Sequence, residues 1–160
     1  MRCLLAYSLI TLLTFDCFSH EVWGRVVKVK DGDTFVVLLD DKTQLTIRLA
    51  YIDCPEKGQP YFQKAKDLTA QMVFGSRIRC MLLKKERYQR FLAVAYLPDS
   101  TSLNEFLVRK GFAWCYKQYA KHTRMELLES KARADRLGIW QDRSPVPPWE
   151  FRKLKHKQTY

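Results

Sequence analysis

Along residues 22–30 the chain alternates: Val27 and Val29 share one face, Lys28 and Lys30 the other. A period of two predicts a β-strand. Residues 34–39 form a dense β-branched and aromatic run, and Asp40-Asp41-Lys42 makes a hairpin turn into a third strand over 44–52. On that strand, alternation places Arg48 opposite Ile47 and Leu49. Pro60 suits the first position of a helix, and Ala65, Leu68, Thr69 and Met72 keep helical spacing until Gly75 ends it. Residues 77–83 and 91–97 are two further strands, joined by the charged stretch 84–90. Ser102-Leu-Asn-Glu105 is a capping box that opens a short helix with Leu103, Phe106 and Leu107 on one side, stopped by Gly111. Thr123-Arg-Met-Glu126 repeats the device before a last helix ending at Gly138. Gly138-Ile-Trp140 and Pro147-Pro148-Trp149 then make a tail whose final residues are basic.

Five strands, one helix after the third and two more at the end, describe an α+β domain. The architecture that fits is a five-stranded barrel of OB type capped by three helices, a form that binds oligonucleotides on an open face. With 160 residues, 47% of them hydrophobic, there is material for one core. The expected division is a leader over 1–19, a folded domain over 20–149 and a basic tail over 150–160. The leader reading rests on the unbroken apolar run from Cys3 to Phe15 after Arg2, with small Ser19 ahead of a cleavage point. That run is shorter than the roughly 20 residues a bilayer span needs, so a signal peptide is expected and no stable membrane anchor after its cleavage. The protein is then expected in the periplasm or outside the cell.

Losing Arg2 and Asp16 with the leader leaves the net charge of +11 unchanged, and a pI near 9.6 favours polyanionic partners. Cys54, Cys80 and Cys115 remain, an odd count without regular spacing, which argues against a disulfide scaffold; Cys80, in an apolar strand, reads as a buried thiol. His20, His122 and His156 are scattered and there is no CxxC, which argues against a zinc site.

Against this basic background two acidic clusters stand out: Asp31-Gly32-Asp33-Thr34 and Asp53-Cys54-Pro55-Glu56. Each alone is an ordinary turn sequence. Together, and beside Arg48 and Arg90, they supply what metal-assisted attack on a phosphodiester requires: hard oxygen ligands, and planar forks for the developing charge. An arginine on an otherwise apolar strand needs an anion; phosphate and a structural carboxylate are both candidates for Arg48. Tyr88, Trp114, Tyr116 and Tyr119 are candidate stacking surfaces for bases, Trp114 being the one best explained as core.

Asp-Gly-Asp-Thr entering a strand, Arg-Leu-x-x-Ile-Asp-x-Pro-Glu in the next, and Tyr-x-Arg before a fifth resemble the staphylococcal (thermonuclease-type) nuclease family. So do 103–111 and 132–140, and the similarity runs from about residue 22 to 149. The resemblance implies an OB-fold nuclease that uses Ca²⁺ to cut DNA and RNA, with single-stranded substrate preferred and 3′-phosphate ends released. It assigns Asp33 and Asp53 as carboxylate calcium ligands and Cys54 as a ligand through its backbone carbonyl. Glu56 becomes the general base or water-orienting group, and Arg48 and Arg90 the arginines on the scissile phosphate. Arg87, Tyr88 and Tyr119 become nucleotide contacts. Cys54 stands where the family often has Thr, and Gln89 where Gly is frequent. A monomer is expected. The competing reading is a non-catalytic OB-fold module that binds single-stranded nucleic acid; retention of all five of Asp33, Arg48, Asp53, Glu56 and Arg90 favours the enzyme. An oligosaccharide binder explains neither the arginines nor the acids.

Overall fold

The computed structural model describes residues 20–86, 90–116 and 123–157. In chain order it contains β1 (His20–Val29), β2 (Thr34–Leu39), β3 (Gln44–Leu49), β4 (Ile52–Asp53), α1 (Phe62–Val73), β5 (Arg77–Lys85) and β6 (Arg90–Tyr96). These are followed by α2 (Leu103–Arg109), β7 (Trp114–Cys115), α3 (Thr123–Ala134), a 3₁₀ turn (Gly138–Gln141) and α4 (Pro148–Lys157). Five strands close a barrel in the order β1-β2-β3-β6-β5, as the alternation predicts. All its pairings are antiparallel except β3 with β6, where α1 and β5 supply the crossover that parallel strands need.

Barrel closure needs strongly bent strands, and β1 shows how the sequence provides one. Its register slips between Val26 and Lys28, a β-bulge that places one extra residue in the strand. Before the bulge the even positions face inward, with Gly24 and Val26 buried; after it Val29 turns in and Lys28 out. The Val27/Val29 alternation therefore describes only the second half of β1. Gly24 fits because a Cβ there would stand 2.4 Å from Val37 Cγ1.

Phe35, Val37, Ile47, Leu49, Ile78, Cys80, Ala93 and Ala95 fill the barrel, and Leu103 and Leu107 of α2 close its end. Each fully buried Leu or Ile contributes about 2 kcal/mol of hydrophobic stabilisation. A smaller cluster of Trp114, Ala132, Ile139 and Trp140 joins α3 and the 3₁₀ turn to β7, with Tyr61 and Trp149 packed against it. Here two backbones nearly touch. Ile139 N–H donates to Gly111 O at 2.8 Å, and a Cβ on Gly138 would fall 2.1 Å from that oxygen.

Two boundaries differ from the sequence expectation. The third strand breaks after Leu49, because Ala50 and Tyr51 form a turn with Tyr51 in the left-handed region (φ 67°). The chain resumes as β4, which pairs with β7 rather than with the barrel. The basic tail is partly a helix: α4 is a fourth helix where three were expected. Pro148 opens it and Glu150 lies in its first turn, both favourable at a helix N-terminus.

Asn104 welds these pieces together. Fully buried, its Nδ2 donates to Ala50 O (2.9 Å) and Ala93 O (3.3 Å), and its Oδ1 accepts from Ala95 N–H (3.0 Å). It therefore fixes α2 to β6 and to the turn that aims β4. Asn104→Leu leaves three buried backbone groups without this partner and is expected to cost about 2–4 kcal/mol, measured by urea denaturation.

Candidate active site

Three segments build the site: the 31–34 loop, the end of β3, and the β4 segment with the turn after it. The loop is held from below. Thr69 Oγ1 on α1 donates to Gly32 O at 2.6 Å, and a Cβ at Gly32 would meet Cys54 Cβ (2.9 Å) and Ala65 Cβ (3.0 Å). Asp33 N–H donates to Asp31 Oδ1 (3.2 Å), and the backbone of Leu49 donates to Asp33 O (2.8 Å), which ties the loop to β3. The β2–β3 register puts Thr34 across from Arg48, so Asp33 lies beside the Arg48 side chain.

Arg48 joins the acids. Its Nη1 lies 2.8 Å from Asp33 Oδ2 and donates to the carbonyls of Leu49 and Ile52 at 3.1 Å each. Its Nη2 donates to Asp53 Oδ1 at 2.7 Å. Both carboxylates are buried and Arg48 is only 18% exposed. Asp33 Oδ2 also accepts from Cys54 N–H (2.7 Å), and Oδ1 from Thr34 Oγ1 (3.1 Å). Burial pushes the Asp33 carboxyl up to about 7; Arg48 opposes the shift and neighbouring Asp31 adds to it. Burial, with Asp33 beside it, also holds the Cys54 thiol well above its ordinary range, so it stays neutral. Repulsion between the Asp33 and Asp53 carboxylates is thus mediated: a guanidinium bridges them. Arg48 takes up the carboxylate partnership that the sequence set beside phosphate as an alternative.

Glu56 sits on a turn fastened by Gln59. Gln59 Oε1 accepts from Glu56 N–H (2.8 Å), and Gln59 Nε2 donates to Val146 O (2.9 Å). Arg90, at the start of β6, is half-exposed, and its Nε donates to Glu86 Oε2 at 2.6 Å. It borders two adjoining open cavities. One, of about 540 Å³, is walled by Asp33, Asp53, Glu56 and Lys30; the other, of about 290 Å³, by Tyr51, Leu92 and Tyr116; Arg48, Asp53 and Arg90 face both. The five residues expected to do the chemistry therefore all line the larger cavity. Arg87, Tyr88 and Tyr119 lie outside the described residues. Tyr116 lines the smaller cavity and packs edge-on against Trp149 (5.4 Å), whereas Trp114 is buried against Trp140 (5.3 Å) and belongs to the core.

The sequence missed one member. Arg152 of α4 donates from Nη2 to Asp53 Oδ2 (2.8 Å) and from Nη1 to Asp53 Oδ1 (3.4 Å), and Nη1 also bonds Glu56 Oε1. Pro148 at the first position of a helix was the available signal; the run of lysines after it reads as tail.

Among the described residues no group of three or more Asp, Glu, His or Cys side chains is placed to hold a metal ion. The donor chemistry nonetheless suits a hard cation. Two buried carboxylates, one with its charged form disfavoured by burial, gain from a divalent ion, and the Cys54 thiol beside Asp33 is buried and neutral. Cys54, Cys80 and Cys115 are all buried, and among the described residues none forms a disulfide.

Residues 46–142 match the family model described as staphylococcal nuclease homologue. An "Uncharacterized endonuclease" of Escherichia coli O157:H7 is 40% identical over 144 residues, covering 90% of this chain and 94% of the relative. A protein of Haemophilus influenzae with the same description is 36% identical over 154 residues (95% and 86%), and a "Micrococcal nuclease" of Shigella flexneri 35% over 146 (85% and 83%). The chain belongs to the staphylococcal nuclease family. Nucleases of this family are generally metal-dependent. On its closed five-stranded barrel, Asp33, Arg48, Asp53, Glu56 and Arg90 line one cavity, and Arg48 is the piece that bridges two of the acids.

Removing that piece gives a direct test. Arg48→Gln leaves Asp33 and Asp53 buried without their shared cation, and the variant is expected to lose about 3 kcal/mol of stability in urea denaturation. Millimolar Ca²⁺ should restore part of that loss, since an ion that binds only the folded state stabilises it by mass action.

Proposed function

We propose that the protein is a Ca²⁺-dependent nuclease that hydrolyses phosphodiester bonds of DNA and RNA and leaves 3′-phosphate ends. The observation that carries this reading is the pair of buried carboxylates, Asp33 and Asp53, bridged by Arg48 at the wall of an open cavity whose rim holds Glu56 and Arg90. A bound divalent cation supplies polarisation of a phosphoryl oxygen and neutralises charge in the transition state. The protein's own groups do the rest. Arg90 presents a planar fork to the equatorial phosphate oxygens, and Arg48 adds positive charge behind the two acids. Glu56, on its Gln59-braced turn, accepts the proton of the attacking water, which displaces the 5′-oxygen in line.

The surrounding protein supports a flexible polyanionic substrate. The net charge of +11 steers nucleic acid to the surface, and Tyr116 offers a ring at the smaller cavity on which an unpaired base can stack. That arrangement favours single-stranded segments, and we read the enzyme as a monomer. Among the described residues no helix is long and apolar enough to cross a membrane. Export rests on the Cys3–Phe15 run and remains part of the proposal; N-terminal sequencing of protein from the periplasm or medium is expected to begin near His20, and intact Met1 recovered only from cytosol would contradict it.

The deciding experiment is digestion of plasmid and of single-stranded DNA with Ca²⁺ and then with chelator. Cleavage should require the metal. Asp53→Ala should abolish it while binding to single-stranded DNA persists with strong salt dependence. Arg90→Lys keeps the charge but loses the fork, so turnover should fall by about 10²-fold or more in a folded protein. Binding without cleavage under every metal tried would mean a nucleic-acid-binding module instead.

A further inference from the structure

One guanidinium in the site has no part in the scheme above. Arg152 occupies both oxygens of Asp53 and reaches Glu56 as well, so it sits on a proposed cation ligand and on the proposed proton acceptor together. While that contact lasts, an oxygen of Glu56 is occupied by the guanidinium and Asp53 Oδ2 faces a positive charge. A divalent ion on the same oxygen would lie within a few ångströms of the guanidinium, and the two repel. The ion and Arg152 therefore compete for Asp53 Oδ2, the oxygen that Arg48 leaves open.

The helix that carries Arg152 is built for such an exchange. Its first turn is anchored: Pro148 is buried, Trp149 packs on Tyr116, and the preceding segment is tied through the Gln59–Val146 hydrogen bond. Beyond that turn Lys153, Leu154, Lys155, His156 and Lys157 are exposed. The Arg152 side chain is itself 44% exposed and Glu56 39%, so the guanidinium can rotate outward without unpacking the helix. The Arg152–Glu56 pair is exposed on both sides and adds little to stability, and the buried Asp53 already has Arg48 as a partner. Arg152 also borders both cavities, together with Arg48, Asp53 and Arg90. A guanidinium displaced from Asp53 remains beside the space where a phosphate would lie.

We propose that Arg152 is an exchangeable internal counter-ion that becomes a substrate-positioning residue: it holds Asp53 and Glu56 in the resting enzyme, yields Asp53 to the divalent cation, and transfers its fork to a phosphate of the bound strand. The exchange uncovers Glu56 Oε1 and couples cation binding to substrate grip, with the lysines of α4 extending the phosphate track. This inference rests on the nuclease reading.

The test uses the full-length protein with Arg152→Gln and Arg152→Lys, and circular dichroism melts to confirm that both fold. Calorimetric titration with Ca²⁺ in the absence of nucleic acid should show Arg152→Gln binding the ion at least about fivefold more tightly than wild type, because the competitor is gone. For single-stranded DNA at saturating Ca²⁺, its KM should rise about tenfold with a smaller change in kcat, the scale of one lost charge-assisted fork. Arg152→Lys should keep near-wild-type Ca²⁺ affinity yet share the raised KM. Both changes are required: unchanged or weaker Ca²⁺ binding by Arg152→Gln, or an unchanged KM in both variants, overturns the proposal. A wild-type protein inert toward all nucleic acid sinks the nuclease reading instead, and the Ca²⁺ titration still reads the competition.

Discussion

The bridge from Arg48 to Asp33 and Asp53 is the constraint on which the rest of the molecule depends. Three charges sit in a largely buried setting, where breaking such a set costs far more than an exposed ion pair contributes. Two carbonyls, of Leu49 and Ile52, take further donors of the same guanidinium. The side chain therefore spans the break between β3 and β4 and specifies the turn as well as neutralising the acids. A lysine offers no fork of this shape.

The barrel exists, in functional terms, to deliver those partners. Alternation along β3 sends Ile47 and Leu49 inward and Arg48 to the other face, so the charge emerges at the barrel wall. The left-handed turn at Tyr51 then leads β4 away from the barrel to pair with β7, returning Asp53 to the guanidinium five residues before it in the chain. Asn104 secures that turn from within the core. On the other side, Gly32 lets the acidic loop lie against Cys54 and α1, which no residue with a Cβ could do without displacing them. Structural and chemical roles converge on the same few backbone segments.

Much of this was legible in the sequence, and the reasons are physical. Strands announce themselves by alternation, and the barrel strands lie where it places them. The acids and arginines were visible because charge among apolar runs needs compensation. What escaped was non-local. The bulge at Val27 changes the inward set of β1 halfway along, and nothing in a period-two pattern marks the switch. The break in β3 is decided by pairing with β7 and by Asn104, more than fifty residues downstream. Helix α4 has the polar and basic composition of a solvated end; it folds by docking Pro148 and Trp149 onto a surface assembled from distant parts of the chain. Arg152 was hidden for the same cause, and Arg87, Tyr88 and Tyr119 lie outside the described residues.

A protein this basic faces a particular difficulty in carrying a buried acidic site. Its envelope attracts polyanions, yet its acids must not collapse onto the wrong cation permanently. The two arginines on Asp53 divide that task by their surroundings. Arg48 is largely enclosed, tied to two backbone carbonyls and two carboxylates, and cannot leave without undoing the β3–β4 turn. Arg152 is far more exposed, stands in the second turn of a surface helix, and is bonded to the carboxylates of Asp53 and Glu56. The same residue type thus serves as a fixed strut in one place and a removable counter-ion in the other. Burial and backbone contacts, more than charge, decide which.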